Sequence, residues 1–302
     1  MRSCRGLSDS ACVCRIVPRD DDRGNKKGSI MTIRNVGIIG LGAIGRPMGR
    51  HLAAGGFGAF GFDPSEDACR QAQEVGITTF ASPREVAERS EFVIVVVGFE
   101  HQVDAVLFAD DGVLAGAQPG AVIGISSTVS PTYARELAVR LAPYDVRLLD
   151  MPTTRSNRAA ESGNLLVMAG ADLEVIEVCR PALETFSGDV FRLGDFGHGQ
   201  VGKMINNIIL WACMAANDEG FRLGESLGVD QETMRAALKT SSAANFPLIE
   251  ESDTRPIPWA EKDMIIAQRE ADQLALSIPL TGHVKELIKA FKARMNYATP
   301  KR

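Results

Sequence analysis

A short apolar run, Val36 to Ile39, breaks into glycines at positions 40, 42 and 45, and a helix-compatible stretch follows from Arg46. The run has the pattern of a buried strand, and the glycines are spaced G-x-G-x-x-G. Each glycine has its own physical reason. Gly40 permits the tight turn out of the strand, Gly42 has no Cβ to hold backbone away from a pyrophosphate, and Gly45 lets the new helix pack closely on the sheet. The amides of the helix start, around Ala43 and Ile44, face the phosphates, and the helix dipole favours their charge. A strand, loop and helix that merely turn the chain would share this outline. The preceding strand and the following helix are the context that a dinucleotide site requires.

Downstream, strands and helices alternate. Gly55 and Gly56 stop the first helix, and Phe57 to Phe62 is a glycine-rich second strand ending at Asp63. Ser82-Pro83-Arg84-Glu85 is a capping box with proline at the first helical position. Phe92 to Val97 is a buried parallel strand ending at Gly98, where backbone can approach a cofactor. Val122 to Ile125 is a strand opening into Ser126-Ser127-Thr128, Ser130-Pro131 starts a helix through Leu141, and Val146 to Leu149 is a strand ending at Asp150. This alternation predicts an α/β fold with a Rossmann-type doubly wound sheet. Ligands of such sheets bind outside the carboxyl ends of the strands, where Gly42, Asp63, Gly98, Ser127 and Asp150 all fall.

Leu165 to Ala169 and Val190 to Leu193 read as two further strands around a helix containing Pro181. From Gly199 to Leu227 the pattern is helical without a strong breaker, a span of roughly 40 Å, and only helix or loop follows. The expected division is a dinucleotide-binding domain over residues 31–193 and an all-helical substrate and oligomerisation domain over 194–302. Residues 1–30 are polar and irregular and lack the apolar core of a signal peptide. They read as a disordered extension, or as the product of an upstream start codon with Met31 as the true first residue.

Several function classes are excluded. A formal charge of -5 over 302 residues argues against a nucleic-acid partner, which would call for a basic patch. No apolar run approaches the roughly 20 residues that span a bilayer. The six cysteines show no paired C-x-x-C spacing, and the four histidines no ligand spacing, so no metal is expected. Free thiols suit a reducing compartment, the cytoplasm. The serines at 126 and 127 have no histidine placed as a base, so they are not nucleophiles.

Two positions carry candidate chemistry on their own spacing. Asp63 lies 18 residues after Gly45, near the usual place of the acid that binds the adenosine ribose. A carboxylate there accepts from both ribose hydroxyls and repels a 2′-phosphate, which favours NAD and leaves NADP as the second choice. The other reading is an Asp that caps the helix after Pro64. On the long helix, Lys203 and Asn207 are four residues apart and share a face among apolar neighbours. Such a lysine either snorkels to water or lines a cleft. Its place at the start of the helix that joins the two domains favours the cleft, and a buried lysine has a lowered pKa that suits proton transfer.

Five motifs in order then resemble the β-hydroxyacid dehydrogenases, the 3-hydroxyisobutyrate dehydrogenase group. They are Gly40 to Met48, Ser127-Thr128, Asp150-Met151-Pro152 through Gly163-Asn164-Leu165, Gly197 to Asn207, and Lys262-Asp263-Met264, and the resemblance covers about residues 33–295. It implies hydride transfer between NAD(H) and a small β-hydroxyacid or its semialdehyde. Lys203 would carry the hydroxyl proton, Asn207 would orient the reacting oxygen or the lysine, and Lys262 would close over the cofactor or substrate. Ser127 and the loop Thr154-Arg155-Ser156 would bind a small anionic substrate, in a homodimer or homotetramer.

Two departures stand out. Ile125 stands where the family has Asp, and Thr154-Arg155-Ser156 stand where its loop has S-G-G. An arginine in that loop is similar to what sulfolactaldehyde reductases carry, and a guanidinium grips a carboxylate or sulfonate with paired bonds. Arg155 is thus an expected anion ligand, with a solvated loop arginine as the other reading. An aldehyde-sulfonate reductase is the alternative enzyme. A non-catalytic dinucleotide sensor is the alternative from another class, and the presence of both Lys203 and Asn207 speaks against it.

Overall fold

A computed structural model describes residues 32–250 and 257–297. The extension 1–30 lies outside the described residues. Nine strands form one sheet among the described residues. They are β1 (Asn35–Ile39), β2 (Gly58–Phe62), β3 (Thr78–Thr79), β4 (Phe92–Val95), β5 (Ala121–Ile125), β6 (Val146–Asp150), β7 (Thr153–Thr154), β8 (Leu165–Gly170) and β9 (Ser187–Gly194). The order is β3-β2-β1-β4-β5-β6-β8-β7, with β9 paired to β8. The first six strands are parallel. This is the doubly wound order with its switch point between β1 and β4.

The sheet does not continue all-parallel. β8 joins β6 antiparallel through a single pair, Asp150 and Gly170, and the two-residue β7 folds back on β8. A two-residue strand carries no periodicity, so the sequence reading holds 153–156 as loop. Beyond β9 the chain is helical. The helix His198–Ser226 has 29 residues, and the helices Gln231–Lys239, Phe246–Ile249, Ala260–Gln273 and Pro279–Arg294 follow.

Burial follows strand alternation. Val36, Ile38, Phe92, Ile94 and Val122 face one side of the sheet with Met48 and Leu52 of the helix Gly45–Ala54. Ile39, Val93, Val95, Ile123 and Ile125 face the other with Leu137 and Leu141. A third cluster of Met214, Met264, Val284 and Ile288 knits the helical region together. The expected starts and stops hold: Ser82 and Ser130 cap their helices from the hydroxyl, each with proline next, and Gly55 ends the first helix.

Candidate active site

The glycine loop is built as its spacing requires. Gly40 has φ +103°, and a Cβ there would overlap the Val96 carbonyl oxygen, while one on Gly45 would overlap that of Gly40. These two glycines serve the protein's own packing. Gly42 does not, because a Cβ on it would meet nothing within 4 Å. Gly42 and Ala43 are exposed, Ile44 is half-buried, and the helix that begins at Gly45 has no side-chain cap. The uncapped helix start and the clear space over Gly42 fit a dinucleotide pyrophosphate. Beside them Asp63 accepts from the Leu41 amide (2.9 Å) and the Ser65 amide (2.9 Å). It borders a cavity of about 480 Å³ whose lining includes Phe62, Arg70, Thr79 and Phe80. Asp63 therefore ties the glycine loop to the second strand, while Ser65 caps the next helix.

The other half of the site forms where the long helix meets the sheet. Asp150, wholly buried at the end of β6, accepts from the amides of Gly197 (2.9 Å) and Gln200 (2.8 Å). Burial pushes its carboxyl up to about 7, against the pull of those amides. The Gln200 side chain donates to the Ser127 carbonyl (3.0 Å) and accepts from the Val129 amide (3.1 Å). The first turn of the helix is thus anchored to the ends of β5 and β6. One turn on, the half-buried Lys203 donates to the Thr153 carbonyl (2.7 Å). Desolvation holds its amine below the usual lysine range; Lys262 adds to this and Asp263 opposes it.

Lys262 reaches the same region from the helix Ala260–Gln273. It donates to the carbonyls of Gly98 (2.8 Å) and Thr128 (2.9 Å) and lies over the rings of Phe99 and Trp259. Burial lowers its pKa as well. Within the field of both lysines is Asp263, buried and bonded by Trp211 Nε1 (3.0 Å) and by the Asn207 amide. Burial raises its carboxyl; Lys262, Lys203 and the two hydrogen bonds lower it. Lys203, Asn207 and Trp211 are spaced i, i+4, i+8, one stripe of the helix. The sequence reading gives roles to the first two, names Asp150 only as lying at a strand end and Gln200 and Asp263 only as members of motifs, and passes over Trp211. The stripe spacing was the signal for Trp211; only the fold reveals the others.

Other expected site residues are engaged within the protein. Ser127 Oγ accepts from the Val97 amide (2.8 Å) and donates to the Val95 carbonyl (3.3 Å). The Gly98 amide donates to Gln102 (2.9 Å), and Thr154 is buried in β7. Arg155 is partly exposed and paired within the protein. Its guanidinium donates to Asp189 on β9 and to Asn164. Arg155 and Ser156 both sit in the left-handed region, at φ 82° and 79°, a strained conformation for side chains of this kind.

Known proteins share this arrangement. A family profile described as the NAD binding domain of 6-phosphogluconate dehydrogenase matches residues 35–194. A second, the NAD-binding domain of NADP-dependent 3-hydroxyisobutyrate dehydrogenase, matches residues 197–299. The L-threonate dehydrogenase of Cupriavidus necator is 33% identical over 218 residues, 72% of this chain and 73% of that protein. The NAD-dependent L-serine dehydrogenase of Pseudomonas aeruginosa is 30% identical over 216 residues, 72% of each. The solved 3-hydroxyisobutyrate dehydrogenase of Mycobacterium tuberculosis with L-serine superposes with a TM-score of 0.76 at 26% identity, covering 87% of this chain and 94% of that one. A dinucleotide fold with a lysine-bearing helix against its strand ends is here an NAD(P)-dependent oxidoreductase of CH–OH groups. The chain belongs to the β-hydroxyacid dehydrogenase family. No helix among the described residues is long and apolar enough to cross a membrane.

Proposed function

We propose that this enzyme interconverts a small β-hydroxyacid and its semialdehyde with NAD(H), and that Lys203 carries the hydroxyl proton. The observation that carries the reading is the half-buried Lys203 amine. It is held at the Thr153 carbonyl on the edge of the substrate loop, beside Asp263 and Lys262. When bound, the nicotinamide accepts or returns the hydride. The chain's own part is to place and move a proton. In oxidation neutral Lys203 takes it from the hydroxyl; in reduction the ammonium gives it back to the carbonyl oxygen. Asn207, held by Asn206 (2.9 Å) and by Asp263, orients the reacting oxygen or the lysine. Lys262 fastens the helical region over the ends of β4 and β5 and so closes the cofactor side.

The cofactor-binding part is residues 31–193, and the helical part, 194–302, completes the substrate site. A homodimer or homotetramer is supported by Ile205, Ile209, Leu223 and Leu227, large apolar side chains left exposed on the long helix. The free thiols of Cys69, Cys179 and Cys213 support a cytoplasmic setting. The alternative of a sulfonate reductase rests on Arg155 as an anion ligand. The pairing of that guanidinium with Asp189 favours the β-hydroxyacid reading. The test is cofactor turnover with a panel of hydroxyacids, semialdehydes and an aldehyde-sulfonate. Turnover confined to the sulfonate would reverse this choice.

The NAD preference rests on Asp63. Asp63→Asn removes the charge that repels a 2′-phosphate and weakens two charge-assisted bonds. The expected result is a KM for NADH raised about 10- to 100-fold, the equivalent of about 1.5–3 kcal/mol, with a narrower preference over NADPH. Steady-state kinetics with both cofactors decide it. A wild-type enzyme that used NADPH better would sink the assignment.

A further inference from the structure

The Ser126 hydroxyl has no hydrogen-bond partner among the described residues, although the residue is only 7% exposed. Buried hydroxyls nearly always find a partner, and an orphan calls for a reason. Its neighbours are spoken for: Ser127 Oγ ties down the end of β4, and the Thr128 carbonyl receives Lys262. At the carboxyl end of β5, Ser126 carries the buried hydroxyl whose donor and acceptor are both unused.

Its place in the sheet says what it faces. Side chains alternate along a strand, so Ser126 shares a face with Gly124 and Val122, one residue past the end of β5. Val122 packs in the cluster that contains Met48 and Leu52 of the helix Gly45–Ala54. This is the face on which the glycine loop opens. β1 and β5 are separated by β4, so the two ends lie about 10 Å apart across the sheet. A dinucleotide with its pyrophosphate on the glycine loop and its adenosine ribose at Asp63 lies over β1 and β2. Its remaining half extends the other way, over β4 and β5.

We propose that the Ser126 hydroxyl hydrogen-bonds the nicotinamide-riboside half of the cofactor. A hydroxyl both donates and accepts, so it suits either a ribose hydroxyl or the carboxamide. The proposal rests on the cofactor course given above, with Asp63 at the adenosine end. No family motif named in the sequence reading uses this side chain.

The test compares NADH with ADP, which lacks the whole nicotinamide-riboside half, by titration against wild type and Ser126→Ala. Ser126→Ala should weaken NADH binding about three- to tenfold, the loss of one net hydrogen bond, and leave ADP binding unchanged. The melting temperature of the cofactor-free variant should equal or exceed that of wild type, because the hydroxyl makes no bond within the protein. Unchanged NADH affinity, an equal loss with both ligands, or a lowered melting temperature would each overturn the proposal. Failure of wild type to bind either ligand would overturn the cofactor assignment itself and this proposal with it.

Discussion

Lys203→Ala should bind NADH nearly as wild type does and turn over about two to four orders of magnitude more slowly, the usual worth of a positioned acid–base group. The amine contacts the Thr153 carbonyl and no part of the glycine loop, so the loss should fall on kcat. Lys203→Arg separates charge from proton transfer. A guanidinium keeps the cation but does not release its proton, so it should be as slow as alanine. The pH dependence has a definite sign. Neutral amine is the base for oxidation, so kcat/KM for the hydroxyacid should rise with pH. The rise should be centred below the ordinary lysine value of about 10.4, since burial lowers this amine. Near-normal turnover in Lys203→Ala, or a rise centred at the ordinary lysine value, would end the assignment.

Removing Asp263 should be the most damaging change to the fold outside the glycine loop. It is buried, feels the charge of two lysines and is bonded by Trp211 and Asn207. Asp263→Ala removes the carboxylate that offsets two desolvated lysines and leaves the Trp211 and Asn207 donors without their acceptor, at a cost of about 1–3 kcal/mol for each orphaned donor. A lowered urea midpoint measures it. Asp263→Asn is the informative partner, because it keeps an acceptor for Trp211 and removes only the charge. Asp263 raises the Lys203 pKa, so its neutralisation should move the pH rise of oxidation to lower values. A rise that stayed in place would show that the carboxylate supports the helices without acting on Lys203.

The parts of the site written in neighbouring residues were legible in the sequence. The glycine loop, the caps at Ser82 and Ser130 and the Lys203–Asn207 pair each declare themselves within one or two turns of chain. The parts that depend on distant convergence were not. Asp189 lies 34 residues beyond Arg155, and no local pattern joins them, so their pairing could not be read from the sequence. Asp263 sits next to Lys262, yet only the packing of two helices brings the charge of both to bear on Lys203. The bonds of Ser127 to the end of β4 were equally hidden, because they depend on strand pairing.

The long helix also has a mechanical consequence. Its first turn is fastened by Asp150 and Gln200, and the turn before it carries Gly194 and Gly197 at φ 145° and 97°. A swing of about 10° pivoting there would carry the far end of a roughly 40 Å rod about 7 Å, but Lys203, roughly 9 Å from the pivot, under 2 Å. The proton carrier sits at the short end of a lever. The arms that sweep the wide arc are the remote helices, and the grip of Lys262 on Gly98 and Thr128 is the latch that any such swing has to open.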